Sequence, residues 1–289
     1  MSEPFTLVDD PDDPRLARFR LGERGLTNRL QRRDDSGDGL FVAEGDLVVE
    51  RALEAGCVPV AALVDAQRPP VVASRLQDHV EVYAGGERMR AVVTRMGMPY
   101  SVIAVFERPP RSTLDQLATT TSRLVVCEAV DNPVNIGSIV RNALGLGWGG
   151  LVVDATSCDP LARRSMRVSM GQALALPHAR VDEVATAVGS LVAQGWAVAA
   201  LTPAHDAVPL DDPTIAAWRS GRIALLLGSE RSGLTAAAMA AATARVTIPM
   251  HAGVDSLNVA AASAIACWHL RSGSYVSHTG ETQTTQIVD

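Results

Sequence analysis

Short apolar runs rich in β-branched residues, separated by stretches of helical periodicity, fill most of the 289-residue chain. After residue 122 they predict a regular alternation of strands and helices. The predicted strands are Leu124–Glu128, Leu151–Asp154, Ala197–Leu201, Ile223–Leu227 and Val246–Ile248, and the predicted helices are Ile136–Leu146, Asp182–Gln194, Leu234–Ala242 and Leu257–Leu270. Because continuous apolar strands alternate with helices, this region is predicted to be α/β, with a parallel sheet covered on both faces.

A smaller α/β module is predicted before this region, with strands at Phe41–Val42, Val60–Val64, Val80–Tyr83 and Tyr100–Phe106. The first 14 residues are acidic and interrupted by proline, and we expect them to be disordered. A Pro-, Ser- and Thr-rich stretch after the module is interpreted as a linker. The predicted organisation is an N-terminal basic arm, partly disordered (residues 1–33), the module (34–108), the linker (109–122), the larger domain (123–272) and a loose polar tail (273–289).

The last predicted strand–helix unit, residues 247–270, has polar residues at the start of its helix. Ser256 is predicted to be the N-cap of that helix, and Asn258 lies beside it. Apolar side chains at helical spacing predict a buried stripe: Leu257, Ala261, Ile265 and Trp268. A helix N-terminus facing a strand end can hold a polar small molecule, although an ordinary α/β unit has the same pattern.

Arginine supplies all 26 basic residues of a chain whose net charge is −6, which argues weakly against a polyanionic partner. Two local clusters oppose that average: seven arginines and one glutamate lie between Arg15 and Arg33, and Arg163, Arg164 and Arg167 form a second group. Each cluster is compatible with a solvated helix face. Arginine also suits phosphate recognition, so a nucleic-acid partner stays open.

Several other classes of protein are disfavoured by composition. No apolar run is long enough to span a membrane, and the acidic N-terminus does not resemble a secretory signal, so we expect a cytoplasmic protein. The four cysteines have no CxxC spacing, and they are interpreted as reduced thiols instead of a disulfide framework or a zinc site. No metal is expected.

The segment Gly145–Gly150 matches the glycine pattern GxGxxG. A dinucleotide fingerprint needs a strand before the glycines and a helix after them, whereas the predicted order here is reversed. We interpret these glycines as a helix end.

Two other blocks follow predicted strands, at the strand ends where α/β sheets bind ligands. Asn135 and Arg141 project from the helix after the first strand of the larger domain, with a capping Asn and a surface Arg as the alternative interpretation. In Gly228–Leu234, two glycines bracket Glu230 at a strand-to-helix turn, where backbone can approach a ligand closely; a plain turn is again the alternative.

Taken in order, these blocks resemble the SpoU/TrmH branch of the SPOUT RNA methyltransferases. The matching motifs are NxGxxxRN at Asn135–Asn142, GxExxGL at Gly228–Leu234 and IPM…SLNVAxA at Ile248–Ala262, and Arg167–Arg180 fits the family's intervening segment. The resemblance covers residues 124–270. The N-terminal module resembles, more weakly, the L30e-like substrate-binding domain of several ribosomal RNA members.

The resemblance implies a deep trefoil knot near the C-terminus, S-adenosylmethionine as the cofactor and a homodimer. It places the catalytic arginine on Arg141, with Asn135, Glu230 and Asn258 around it. It places the cofactor pocket on Thr202, Leu227, Gly228, Ile248, Met250, Ser256 and Leu257. One position departs from the family: Ala260 replaces a common serine, so no hydroxyl contact is expected there.

The implied reaction is methyl transfer to a ribose 2′-hydroxyl of RNA, without a metal. The extra N-terminal domain favours ribosomal RNA over transfer RNA as the substrate. Two alternatives stay open: an RNA-binding protein that kept the fold without catalysis, and a nicotinamide oxidoreductase, which the reversed glycine pattern disfavours.

Overall fold

The computed structural model describes residues 5–22, 39–251, 256–272, 274–276 and 282–284. The chain divides into two compact units. Met1–Arg111 and Asp159–Ala175 form the N-terminal unit, and Ser112–Cys158 and Leu176–Asp289 form the C-terminal unit. The N-terminal unit therefore includes a segment whose sequence lies inside the larger predicted domain.

The described elements are numbered in chain order. The strands are β1 (Thr6–Leu7), β2 (Leu40–Glu44), β3 (Pro59–Asp65), β4 (Val82–Gly85), β5 (Val102–Glu107), β6 (Arg123–Glu128), β7 (Gly150–Asp154), β8 (His178–Val181), β9 (Ala197–Leu201), β10 (Val208–Pro209), β11 (Ile223–Gly228), β12 (Ala244–Thr247), β13 (Ser274–Val276) and β14 (Thr282–Thr284). The helices are α1 (Asp46–Glu54), α2 (Val72–Gln77), α3 (Glu87–Thr94), α4 (Leu114–Thr120), α5 (Pro133–Gly145), α6 (Arg163–Val168), α7 (Val184–Ala193), α8 (Pro213–Ala216), α9 (Ala236–Ala241) and α10 (Val259–His269). Short 3₁₀ helices cover Pro14–Arg20, Gln172–Leu174 and Ala217–Ser220.

The N-terminal unit is built on a five-stranded mixed sheet in the order β1-β4-β3-β5-β2. Strands β1, β4 and β3 are parallel, and β5 pairs antiparallel with β3 and β2. The expectation that the first 14 residues are disordered is wrong for residues 5–14, because Thr6 and Leu7 pair with β4 and Val8 is buried. Leu16 and Phe19 are also buried in the core of this unit. The remainder of the predicted basic arm, residues 23–33, lies outside the described residues.

A seven-stranded, entirely parallel sheet forms the C-terminal unit, as the hydrophobic pattern predicts. Its order is β10-β12-β9-β11-β6-β7-β8. The central strands are fully buried, which explains their continuous apolar sequences. All five predicted strands are confirmed within two residues at each end, whereas β8, β10, α6 and α8 were missed. Among the described residues, none of the helices has the length and hydropathy needed to cross a membrane.

The predicted linker contains a helix, so that interpretation is wrong for α4. Thr113 and Gln116 form a capping box, in which the Gln116 amide N–H donates to Thr113 Oγ1 at 3.2 Å and the Thr113 N–H donates to Gln116 Oε1 at 2.8 Å. Leu117 and Ala118 then pack into the core of the C-terminal unit. The predicted loose tail likewise contains two short strands, since β13 and β14 pair antiparallel.

Helix α10 differs from its prediction in both its cap and its buried face. Asn258, not Ser256, is the N-cap, because Asn258 Oδ1 accepts a hydrogen bond from the Ala260 N–H at 2.9 Å. The predicted buried stripe is instead solvent-accessible in the single chain: Leu257, Ile265 and Trp268 are 36%, 42% and 57% exposed. The buried side chains of the helix are smaller: Val259, Ala262, Ser263, Ala266 and Cys267.

Candidate active site

Three polar side chains from three separate sequence blocks meet in the C-terminal unit. Glu230 Oε1 accepts a hydrogen bond from Asn135 Nδ2 at 2.7 Å and another from Asn258 Nδ2 at 2.6 Å. Asn258 Nδ2 also lies 3.3 Å from Asn135 Oδ1. We call Asn135, Glu230 and Asn258 the amide–carboxylate cluster. The family resemblance implies that these residues share a site, and the structure brings them together.

Asn135 is held in the first turn of α5 and is only 4% exposed. The helix begins there because Asn132 Oδ1 accepts from the Val134 N–H at 2.9 Å and Pro133 occupies the first helical position. One face of the helix, with Ile136, Ile139, Val140 and Ala143, is fully buried, as its periodicity predicts. The position of α5 is therefore set by its own cap and by its buried face.

The turn before α5 is fixed by a buried carboxylate, Asp154, at the end of β7. Its Oδ1 accepts from the N–H groups of Ala129 at 3.0 Å and Ser157 at 2.9 Å, and its Oδ2 accepts from Thr156. Ala129 has a φ of 54°, which is unusual for a residue with a side chain and is stabilised by this contact. Burial alone raises the pKa of Asp154, but the hydrogen bonds from Ser157, Thr156 and Ala129 outweigh it and lower that pKa below its ordinary value.

Glu230 projects from a tight loop between β11 and α9. A Cβ atom on Gly228 would lie 2.4 Å from the Gly233 carbonyl carbon and 2.5 Å from the Leu234 nitrogen, so only glycine fits there. Gly233 has a φ of 66° and closes the loop by donating its N–H to the Ser229 carbonyl at 3.0 Å. The C-terminal side of the loop is anchored by Glu128, whose carboxylate accepts from the Thr235 N–H at 2.7 Å and from Thr235 Oγ1 at 2.9 Å.

Asn142 connects the two helices that carry the asparagines of the cluster. Its Nδ2 donates to the Ala260 carbonyl at 2.8 Å and to Ser263 Oγ at 3.0 Å, so α5 and α10 are joined beyond their N-termini. Asn142, Asp154 and Glu128 were not singled out as site residues from the sequence. Asp154 and Glu128 each end a predicted strand, and that position was the signal that could have identified them.

Arg141 does not reach the amide–carboxylate cluster. It lies on the exposed side of α5, and among the described residues no hydrogen bond or ion pair holds its guanidinium. Six residues along an α-helix correspond to an advance of about 9 Å and a rotation of roughly 120° from Asn135. Arg141 is thus an accessible cation, separated from the cluster within the single chain.

The residues predicted to hold a cofactor gather at neighbouring strand ends. Thr202, Leu227 with Gly228, and Ile248 follow or end β9, β11 and β12, and β9 lies between the other two strands. In the described register, Leu227 and Gly228 pair with β6 but have no partners on β9, so this end of β11 is an open strand end on its β9 side. Leu227 is 1% exposed and can contribute only its backbone.

Partly exposed apolar side chains follow β12 and precede α10. Met250 and Leu257 are 37% and 36% exposed, and Ser256 is also exposed. The loop between them, residues 252–255, lies outside the described residues. Backbone polar groups beside uncovered apolar side chains fit a small molecule with both polar and apolar parts. Across the described part of the chain, no group of three His, Cys, Asp or Glu side chains could hold a metal ion.

The GxGxxG segment, Gly145–Gly150, is confirmed as a helix end. Helix α5 ends at Gly145, Gly147 has a φ of 80°, and strand β7 begins at Gly150. The order is helix, then strand, which is the reverse of a dinucleotide-binding turn.

Comparison with known proteins identifies the family to which this architecture belongs. Residues 122–268 match the model of the SpoU rRNA Methylase family. An uncharacterized tRNA/rRNA methyltransferase of Mycobacterium tuberculosis is 39% identical over 277 residues, covering 93% of each chain. The 23S rRNA (guanosine(2553)-2′-O)-methyltransferase RlmP of Bacillus subtilis is 28% identical, covering 80% of this chain and 88% of its own.

A solved structure is similar to this chain over nearly its whole length. The AdoMet-bound rRNA methyltransferase of Sinorhizobium meliloti superposes with a TM-score of 0.73 at 25% identity, covering 93% of this chain and 98% of its own. The motifs, the parallel sheet and these similarities agree with one another, and the chain belongs to the SpoU family of RNA methyltransferases.

Proposed function

We propose that this protein transfers a methyl group from S-adenosylmethionine to a ribose 2′-hydroxyl of ribosomal RNA. The observation that carries the proposal is the amide–carboxylate cluster, because two asparagines far apart in sequence donate to the same carboxylate oxygen of Glu230. The 2′-O-methyltransferase activity of the Bacillus subtilis relative and the AdoMet-bound Sinorhizobium meliloti structure support the same reaction and cofactor.

The cofactor would occupy the open strand ends of the C-terminal unit. Gly228 and Ile248 would offer backbone groups, while Leu257 and Met250 would pack against its apolar parts. Thr202, Leu227 and Ser256 complete this set. Bound there, the sulfonium supplies an electrophilic methyl group, and the protein has to align the attacking hydroxyl with it.

Arg141 would bind the RNA phosphate next to the reacting ribose and stabilise the negative charge that develops on its oxygen. A guanidinium loses its proton only with great difficulty, so Arg141 is unsuited to be the base. The hydroxyl proton would pass to a phosphate oxygen or to water. The cluster of Asn135, Glu230 and Asn258 would fix the loop and helix N-termini around the reacting groups.

We also infer a homodimer with the SPOUT trefoil knot near its C-terminus. The uncovered side chains of Ile265 and Trp268 on α10 support the dimer, since large apolar residues on one helix face favour burial against a partner. The knot follows from the family resemblance. The N-terminal unit, in the role of an L30e-like domain, would bind the RNA.

A methyl-transfer assay tests the proposal directly. Purified protein is incubated with radiolabelled S-adenosylmethionine and in vitro transcripts of 23S rRNA, 16S rRNA or a tRNA pool, and the products are digested to nucleosides. We expect label in a 2′-O-methylnucleoside from 23S rRNA, and far less in the Glu230→Gln variant. Label found only in tRNA would show that the substrate is transfer RNA and not ribosomal RNA. Tight cofactor binding without transfer to any RNA would favour the non-catalytic alternative, and binding of NADH instead would favour the oxidoreductase.

A further inference from the structure

A cavity of about 210 Å³ opens on the surface of the N-terminal unit, and four of its nine lining residues are arginines. They are Arg20, Arg95, Arg163 and Arg167. We call this cavity the arginine pocket. It lies wholly within the N-terminal unit, where the segment Asp159–Ala175 packs with residues from the start of the chain. Neither the amide–carboxylate cluster nor the open strand ends contribute to it.

A buried carboxylate orients two of these arginines. The Glu44 side chain is 0% exposed and forms ion pairs with Arg163 and, at 2.9 Å, with Arg167 Nη1. The Arg163 and Arg167 side chains are 19% and 29% exposed, so each guanidinium is partly buried and held in place. The Glu44 carboxylate can neutralise only one of the two cations.

The other two arginines add further positive charge. Arg20 is fixed by donating to the carbonyls of Pro11 at 2.7 Å and Asp13 at 2.9 Å, and its nearest carboxylate, Asp12, is 93% exposed at 3.3 Å. Arg95 ends α3 with a φ of 56°, is exposed, and has no recorded ion pair or hydrogen bond among the described residues.

Four arginines therefore line the pocket: described contacts hold Arg20 and Arg167, and Arg95 is exposed to solvent. Because a guanidinium stays protonated at any physiological pH, the positive charge of these arginines cannot be removed by titration. It also opposes the net charge of −6 that the whole chain carries. Several oriented guanidinium groups around an open cavity match the geometry of a phosphate, whose oxygens accept several hydrogen bonds at once.

We propose that the arginine pocket binds a backbone phosphate of the RNA substrate and so holds the RNA on the N-terminal unit. This inference rests on the proposed function, since it assumes that RNA is the substrate. The pocket opens to solvent, so a phosphate group of a continuous polynucleotide can reach it. Free inorganic phosphate offers the same chemistry, and the experiment separates the two sources.

The test uses a double variant of the full-length protein, Arg95→Asn with Arg167→Gln. Asparagine tolerates the left-handed backbone at residue 95, and a glutamine amide at position 167 can still donate to Glu44, so the fold is preserved. The matched control is Arg75→Gln with Arg164→Gln. These arginines are exposed, belong to the same unit and do not line the pocket, so the control removes equal charge. Thermal unfolding of both variants verifies that they fold.

Binding of a labelled 23S rRNA transcript is then measured from about 50 to about 200 mM salt, a range over which phosphate contacts weaken strongly. We expect the pocket variant to bind roughly tenfold more weakly, with a log–log salt slope lower by about one to two, because phosphate contacts release counterions. The control should stay within about threefold of the wild type, and S-adenosylmethionine affinity should be unchanged in both.

An equal loss of RNA affinity in the pocket variant and in the control would overturn the proposal. Removing any two positive charges from this unit would then weaken RNA binding as much as removing the pocket arginines. Unchanged RNA binding in the pocket variant would also overturn it, including the case in which only calorimetric binding of inorganic phosphate is lost. These outcomes are distinct from a failure of the proposed function, which would appear as absent methyl transfer by the wild-type protein.

Discussion

At the scale of single residues, Asn258 has two separable roles. Its Oδ1 caps α10 through the Ala260 N–H, and its Nδ2 donates to Glu230. Serine can cap a helix but is too short to reach Glu230. We expect Asn258→Ala to lose about 1 kcal/mol of stability together with transfer activity, whereas Asn258→Ser loses only the activity. Urea denaturation beside a transfer assay measures both. Full activity in the serine variant would show that the amide contact is dispensable.

Arg141 offers a cleaner test of catalysis than any residue of the cluster. Its guanidinium is exposed and has no recorded partner among the described residues, so its removal should not disturb the fold. We expect Arg141→Ala to abolish transfer while S-adenosylmethionine affinity stays within a few-fold. Isothermal calorimetry measures that affinity, and single-turnover kinetics at saturating cofactor measures the transfer. Lost affinity with an intact rate would contradict the assignment.

Two further substitutions separate cofactor binding from loop integrity. A side chain at Gly228 would collide with the backbone of Gly233 and Leu234, so Gly228→Ala should destabilise the protein by about 1–3 kcal/mol, even without cofactor. Leu257 is 36% exposed, so Leu257→Arg should fold normally and weaken S-adenosylmethionine binding at least tenfold. Calorimetry and thermal unfolding of both variants distinguish these effects. Normal cofactor affinity in folded Leu257→Arg would place the pocket elsewhere.

At the scale of elements, Asp154 makes the stability of the turn before α5 depend on pH. Its pKa is lower in the folded protein than in the unfolded chain, so the carboxylate stabilises the fold above the unfolded pKa of about 4 and loses that contribution as the pH falls through the folded pKa. We expect Asp154→Asn to cost about 1–3 kcal/mol at neutral pH, because buried N–H groups lose an acceptor. Urea unfolding at pH 6 and at pH 3 should show a smaller gap between wild type and variant in acid. A constant gap would contradict this role.

The sequence predicted the larger sheet well because its strands are buried on both faces and therefore read as continuous apolar runs. It did not predict β8 or α6: His178–Val181 mixes polar and apolar residues, and Arg163–Val168 contains three arginines. Helix α4 was interpreted as a linker because its threonines are typical of loops, whereas its capping box outweighs that tendency.

Helix α10 shows what periodicity leaves undetermined. The large apolar side chains do recur on one face, but the chain itself packs against the opposite face, where small residues such as Ala262 and Ala266 allow close approach to α5. A pattern of hydrophobic residues indicates which face avoids water. It does not say whether that face is covered by the same chain or by another.

At the scale of the whole molecule, the position of the N-terminal residues changes how RNA binding should be tested. Leu16 and Phe19 are 0% and 2% exposed, so deleting residues 1–33 would remove part of a core along with the arginines. Weaker RNA binding after that deletion would therefore not distinguish unfolding from lost phosphate contacts. Charge-removing substitutions avoid this ambiguity, since they leave the buried side chains in place.

The proposed dimer gives the last prediction, because it explains the uncovered face of α10. Trp268 is 57% exposed and Ile265 is 42% exposed, and the Arg271 guanidinium lies over the Trp268 ring, 3.2 Å from its centre. We expect Ile265→Glu with Trp268→Glu to yield a folded monomer without transfer activity, since two carboxylates cannot be buried in an apolar interface. The control is Val71→Glu with Met98→Glu, whose wild-type side chains are 88% and 81% exposed on the N-terminal unit. Sedimentation velocity should give a dimer for the wild type and the control, and a monomer for the α10 variant. A wild-type monomer, or a dimer that survives both α10 substitutions, would rule out this face as the interface.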